Sequence, residues 1–129
     1  MQVTEIRERL LAKPEAVEDF PFGPEVAVFR LHGKMFALLG LDNNGTPRIN
    51  LKCDPEESLI LRDLFPAVIP GYHMNKKHWN TVILDGSLPV REVQRMIDNS
   101  WFLVFTGLKR SMRERLEARS GQKPEYTPF

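Results

Sequence analysis

Scarcity is the first thing this chain of 129 residues shows: one cysteine, two tryptophans, two tyrosines, and a net charge of only +1. The lone Cys53 has no internal partner, so a disulfide framework is excluded and a reducing compartment is the expected setting. No apolar run approaches the roughly 20 residues that a bilayer span needs, which excludes a membrane helix and leaves no membrane partner to expect. The opening Met1-Gln2-Val3-Thr4-Glu5-Ile6-Arg7 lacks the basic and apolar blocks of a secretory leader, and the expected location is the cytoplasm. Near-neutral charge argues against a strongly basic nucleic-acid binder, whose affinity comes from clustered Lys and Arg displacing counterions. Internal repeats, low-complexity stretches, a Gly-x-Ser-x-Gly elbow and a His-Glu-x-x-His pair are also missing.

What is present describes one globular unit. With 42% hydrophobic and 27% charged residues the chain can bury a core. Residues 1–120 read as a single domain and 121–129 as a flexible tail. Charge is polarised: residues 1–25 hold three basic and six acidic groups, residues 107–123 six basic and two acidic. The basic end reads as a solvated helix face.

The pattern predicts an α+β fold. Thr4 is placed to cap a helix with Ile6, Leu10 and Leu11 on its apolar side, ending before Pro14. Phe20-Pro21-Phe22-Gly23-Pro24 then interrupts regular structure and reads as a packed aromatic loop, since two phenylalanines are costly in water. Val26 to Leu31 and Met35 to Leu39 form a hairpin around His32-Gly33-Lys34, and Asn43-Asn44-Gly45 is a further turn. The next run alternates, with Ile49, Leu51 and Cys53 on one face and Arg48, Asn50 and Lys52 on the other.

Asp54-Pro55-Glu56-Glu57 is a strong helix start, and Leu59, Ile60 and Leu64 are expected to face the core. Pro66 and Pro70 bracket a short apolar step, and Trp79 to Leu84 reads as another strand closed by Asp85-Gly86. Pro89 opens a helix with Val93, Ile97, Trp101 and Val104 on its covering face, stopped at Gly107. A last amphipathic helix runs from Lys109 to Arg119. The expected architecture is an antiparallel sheet of about five strands with helices packed on it, in the order α-β-β-β-α-β-β-α plus a C-terminal helix.

Function concentrates between Tyr72 and Trp79, where two imidazoles, two ammonium groups, an amide, a phenol and an indole fall within eight residues. Lys76 and Lys77 are too hydrated to be buried together, and Trp79 serves as the structural anchor of the segment. Hydrogen-bonded loop chemistry, with His73 and His78 satisfying backbone groups, is the plain alternative. A metal site is not expected: His73 and His78 are five residues apart, roughly 140° apart on a helix and on opposite sides of a strand, and no carboxylate or thiol completes a ligand set. Cys53 shares a face with Ile49 and Leu51, which points to a buried structural thiol rather than a nucleophile. Anion binding fits better. Lys34, Arg48, Lys52, Lys76 and Lys77 supply charge, Asn75 and Asn80 neutral hydrogen bonds, and Tyr72, His73 and His78 rings and donors, a mixture suited to a nucleic-acid backbone or to an anionic small molecule.

In order along the chain, Phe20-Pro21-Phe22-Gly23, Gly33-Lys34-Met35-Phe36-Ala37, Asn50-Leu51-Lys52-Cys53-Asp54-Pro55 and Pro70-Gly71-Tyr72-His73-Met74-Asn75-Lys76-Lys77-His78-Trp79-Asn80-Thr81-Val82 resemble the MmcQ/YjbR family. The resemblance spans roughly residues 3 to 108. It implies a fold like that of the type III secretion chaperones and a DNA-binding role by analogy with a double-wing domain, with no catalytic residues and no cofactor to carry over. Three functions are therefore carried forward. The first is a non-catalytic DNA-binding protein of low sequence specificity, using a cationic sheet face and the Tyr72 to Trp79 loop. The second is a protein-interaction or chaperone-like module, and the third a binder of an anionic small molecule with His73 or His78 as proton carrier. A monomer or small homo-oligomer accommodates all three.

Overall fold

The computed structural model describes residues 2–129. Helix α1 (Val3–Ala12) starts with Gln2 at its cap, whose backbone N–H donates to the Glu5 carboxylate at 3.2 Å. Thr4 thus lies inside the helix and is not its cap, because the Glu5 carboxylate satisfies the free amide one turn earlier. Ile6 and Leu10 are fully buried, and Leu11 faces outward.

Strands β1 (Ala16–Asp19), β2 (Ala27–Leu31), β3 (Lys34–Leu41) and β4 (Pro47–Lys52) follow, then helix α2 (Pro55–Leu64), strands β5 (Val68–Pro70) and β6 (Trp79–Ile83), and helices α3 (Val90–Thr106) and α4 (Arg110–Ser120). The fold is α+β, with all six strands antiparallel in the order β1-β2-β3-β4-β6-β5. The strand beyond the five expected is β1. Its Ala16-Val17-Glu18-Asp19 has weak strand propensity, and it forms by pairing with β2 along the sheet edge, reinforced by Arg7–Glu18 and Arg30–Asp19 ion pairs. His32 and Gly33 both take positive φ in the two-residue turn between β2 and β3, the backbone shape that matches strand twist.

Helix α3 covers one face of the sheet. Val93, Ile97, Trp101 and Val104 meet Phe29, Leu31, Phe36, Ile49 and Leu51, and each such side chain contributes about 1.5–3 kcal/mol when fully buried. Trp101 stacks on Phe105 and donates its indole N–H to the Pro14 carbonyl at 3.1 Å, which fixes the chain between α1 and β1. Helix α4 buries Leu116 and sends Arg115 and Arg119 to Glu15.

Helix α2 begins as its sequence indicates: Asp54 accepts the Glu57 N–H at 3.1 Å, with Pro55 at the first helical position. Its orientation differs from expectation. Leu59, Ile60 and Leu64 are exposed, and the inward stripe is Glu57, Ser58 and Leu61. The cause is polar. Glu57 is drawn inward by Arg95 of α3 at 3.0 Å and by donors of the C-terminal segment, and these contacts set the rotation of the helix. Residues 122–129 form no helix or strand, yet Tyr126, Thr127 and Phe129 hydrogen-bond to the body of the protein. Among the described residues no helix is long and apolar enough to cross a membrane.

Candidate functional site

The sheet face opposite α3 carries the site. Register places Val28, Leu38, Asn50 and Thr81 side by side across β2, β3, β4 and β6. The Thr81 hydroxyl donates to Asn50 Oδ1 at 2.5 Å and accepts the Tyr72 N–H at 2.9 Å, while Asn50 Nδ2 donates to the Tyr72 carbonyl at 3.3 Å. Two adjacent strands therefore clamp the backbone of one loop residue. A turn follows in which Met74 N–H donates to the Gly71 carbonyl and His73 takes φ of +57°, a left-handed conformation uncommon for a residue with a side chain.

This geometry aims side chains back over the sheet. The Tyr72 and His73 rings lie 4.0 Å apart, and the Arg48 guanidinium sits 4.6 Å from the Tyr72 ring centre. Beneath and beside them is a concave pocket of about 380 Å³, floored by Leu38 and Gly40, walled by Phe22, Val26, Met35, Leu41 and Met74, and edged by Arg48, Asn50, Tyr72 and His73. Gly40 has a specific part. A Cβ there would come within 3.3 Å of the Glu25 carbonyl, so its absence lets the 20–26 loop close over the sheet. That loop is not the packed aromatic cluster expected: Phe20 is 49% and Phe22 64% exposed, because Phe22 overhangs the pocket as a wall instead of entering the core.

The remaining candidate residues do not line the pocket. Lys34 donates its ammonium to the Gly107 carbonyl at 3.0 Å, at the C-terminus of α3 where a cation complements the helix dipole. Lys52 lies directly across from Trp79 in the β4–β6 register, and Trp79 is buried. Asn75 shapes the loop: its side-chain oxygen accepts the Lys77 N–H at 2.9 Å, and its carbonyl accepts the His78 and Trp79 amides. His78 accepts the Cys53 N–H through its carbonyl at 2.8 Å. Lys76 and Lys77 border a shallow groove against Pro55, Leu59 and Arg62 of α2, separate from the pocket. Arg48, Tyr72 and His73 thus line one pocket, whereas Lys34 is engaged at the end of α3 and Lys76 and Lys77 line a different groove.

Sequence reasoning passed over Arg62, which ties α2 to the loop through Asn80 Oδ1 at 2.7 Å, the Trp79 carbonyl at 3.2 Å and the Lys76 carbonyl. It also passed over Phe22, Met35 and Leu38 as pocket residues, although Phe22 and Met35 stood within recognisable motifs. Among the described residues no three histidine, cysteine, aspartate or glutamate side chains converge as a metal-binding group.

Cys53 is buried, and burial, followed by the Glu57 charge, pushes its thiol up from 9.0 to about 12. A raised value in the fold means stability is complete below the unfolded value and declines as pH climbs from about 9 toward 12, because the unfolded chain releases a proton that the fold retains. Equilibrium unfolding from pH 8 to 11 should show this decline, and a Cys53→Ala variant should flatten it. An unchanged slope in that variant would assign the decline to other groups.

Comparison with known proteins places these features in context. The family model described as YjbR matches residues 11–103. The YbdF protein of Escherichia coli O157:H7 is 42% identical over 97 residues, covering 75% of this chain and 79% of that protein. The YjbR protein of Escherichia coli K12 is 33% identical over 101 residues, covering 78% and 85% respectively. Among solved structures, the Deinococcus radiodurans protein DR2400, of the DUF419 domain family, superposes with a TM-score of 0.81 at 36% identity, covering 89% of this chain and 87% of its own. The crystal structure of a Pseudomonas syringae protein gives a TM-score of 0.67 at 34% identity, with 78% and 96% covered.

Proposed function

The chain belongs to the YjbR family, and on that footing we propose that it binds an anionic small molecule with an apolar body on the open face of its sheet. One observation carries the reading: a pocket of about 380 Å³ with a mainly apolar lining has Arg48 and His73 at its edge. Ligand sites are typically clefts of about 300–1,000 Å³ with apolar walls and a few placed polar groups. The apolar body would lie against Leu38, Met35 and Phe22, and the anionic group would meet the Arg48 guanidinium, whose planar fork suits a carboxylate or phosphate. His73 and Asn50 would supply further hydrogen bonds. The activity proposed is binding without catalysis.

Thermal unfolding in the presence of aryl and alkyl carboxylates, phosphorylated metabolites and nucleotides tests this. A ligand at a hundredfold excess over its Kd stabilises the folded state by about 2.7 kcal/mol. Arg48→Ala should remove the stabilisation, and the double variant Lys76→Ala/Lys77→Ala should preserve it. If no compound raises the melting temperature, or if the Arg48 variant responds like the parent, the reading fails.

A DNA-binding role is supported by one different feature, the half-exposed Tyr72 beside Arg48 and His73, which could stack a base of a single strand. It draws less support from the cations, since Lys34 is engaged at a helix terminus and Lys76 and Lys77 border another groove. Fluorescence anisotropy with single- and double-stranded DNA at low salt separates the two. The DNA reading requires binding that weakens with salt and with loss of Lys76 and Lys77.

A further inference from the structure

A second built site lies on the other side of the protein, where α2 and α3 meet. Glu57 and Asn99 are 8% and 3% exposed, and the Arg95 side chain is 10% exposed between them. Their partners are residues of the C-terminal segment. Asn99 accepts the Thr127 N–H and donates to the Thr127 carbonyl, both at 2.8 Å, so one side-chain amide reads both main-chain groups of a single residue. Arg95 donates to the same carbonyl at 2.9 Å. Glu57 accepts the Tyr126 hydroxyl and, at 2.5 Å, the Phe129 N–H. Aromatic contacts complete the seat: Phe129 packs edge-on to Phe65 and against Arg95, and Tyr126 meets Phe102.

Side chains of α2 and α3 thus hold main-chain groups of a segment that is neither helix nor strand, with Tyr126 half-buried and Phe129 54% exposed. Glu57, Arg95 and Asn99 all lie within residues 11–103 matched by the family, whereas the segment seated on them lies outside. Nor does the segment lie flat along its whole length. Between Gln122 and Glu125 it stands over an open space of about 570 Å³ bordered by Lys13, Trp101 and Leu116, so residues 126–129 grip and those before them arch.

We propose that the α2–α3 cleft is a binding site for an extended polypeptide segment of a partner protein, held shut in this structure by the chain's own residues 126–129. The partner segment would present an aromatic hydroxyl to Glu57, main-chain groups to Asn99 and Arg95, and a second aromatic ring three residues on. Removal of the segment takes from Glu57, Arg95 and Asn99 the main-chain and hydroxyl partners it supplies, which water or another segment must then replace. Tethering makes the tail a strong competitor, because a short linker gives an effective concentration of order millimolar.

The test uses the full chain with its tail released by Tyr126→Ala/Phe129→Ala, and as probe a fluorescent peptide of residues 122–129. The released variant should bind the probe at least tenfold more tightly than the parent, and adding Glu57→Gln to it should reverse that gain. A released variant that unfolds cooperatively like the parent but does not bind the probe overturns the proposal. Should release impair folding, hydrogen exchange on the parent decides: Thr127 and Phe129 amides should be protected, with protection lost on adding excess unlabelled peptide. Exchange at random-coil rates, or protection indifferent to the peptide, overturns it.

Discussion

Arg95→Ala is expected to destabilise the protein by about 3–5 kcal/mol, the range typical when one member of a buried ion pair is removed. Arg95 holds two carboxylates at once, Glu57 at 3.0 Å across to α2 and Glu92 at 3.0 Å one turn back along α3. Alanine leaves both without a counter-charge, and Glu57, 8% exposed, keeps only neutral donors, among them Tyr126 and Phe129. The loss should also free the rotation of α2, since the Glu57 contact keeps Leu59, Ile60 and Leu64 outward. Chemical denaturation measures the loss. Adding Glu57→Gln to Arg95→Ala should recover part of it, because the repaired cost is that of an unpaired charge. Strict additivity of the two substitutions would show that the pair is not coupled.

Gly71→Ala is the second large effect, at about 1–3 kcal/mol, the range for forcing atoms into a packed site. The added Cβ would lie 2.8 Å from Trp79 Cβ and 2.9 Å from the Trp79 carbonyl, and one of these is main chain that cannot rotate aside. Gly71 N–H also donates to that carbonyl at 3.0 Å, closing the loop that carries Tyr72 and His73. The substitution should therefore separate the ends of β5 and β6 and loosen the clamp of Asn50 and Thr81 on Tyr72. Stability from urea unfolding and the exchange rate of the Tyr72 amide report the two consequences separately. An alanine variant with parental stability and a protected Tyr72 amide would show that the close approach is not a constraint.

Both substitutions act where residues distant in sequence meet, and that division runs through the whole molecule. Features governed by near neighbours were legible from the chain alone: the Asp54-Pro55 helix start, the alternation from Arg48 to Cys53, the hairpin at His32-Gly33-Lys34, whose Lys34 already belongs to β3, and the covering face of α3. Their signals are local because a cap, a turn or a periodic stripe is satisfied within a few residues. Strand β1 was not legible, since its four residues become a strand by pairing with β2. Nor was the rotation of α2, where an apolar count pointed to Leu59, Ile60 and Leu64 but Arg95 and Phe129, 38 and 72 residues beyond Glu57, drew in the opposite side.

The candidate site divides in the same way. Residue types alone marked Tyr72 to Trp79 as chemically dense, and alternation alone put Arg48 and Asn50 on one sheet face. Whether those groups share a pocket depended on how the loop leaves the sheet, and that path is set by Asn50 and Thr81 gripping Tyr72, contacts spanning 22 and 9 residues. The same path carries Lys76 and Lys77 toward α2 and away from Arg48. Composition and local pattern are enough to specify the elements and the polarity of their faces. Which polar groups meet, which phenylalanine stays in water and what seats the last four residues follow from side chains brought together across the chain, where burial makes each hydrogen bond or charge count far more than it does along a single helix or strand.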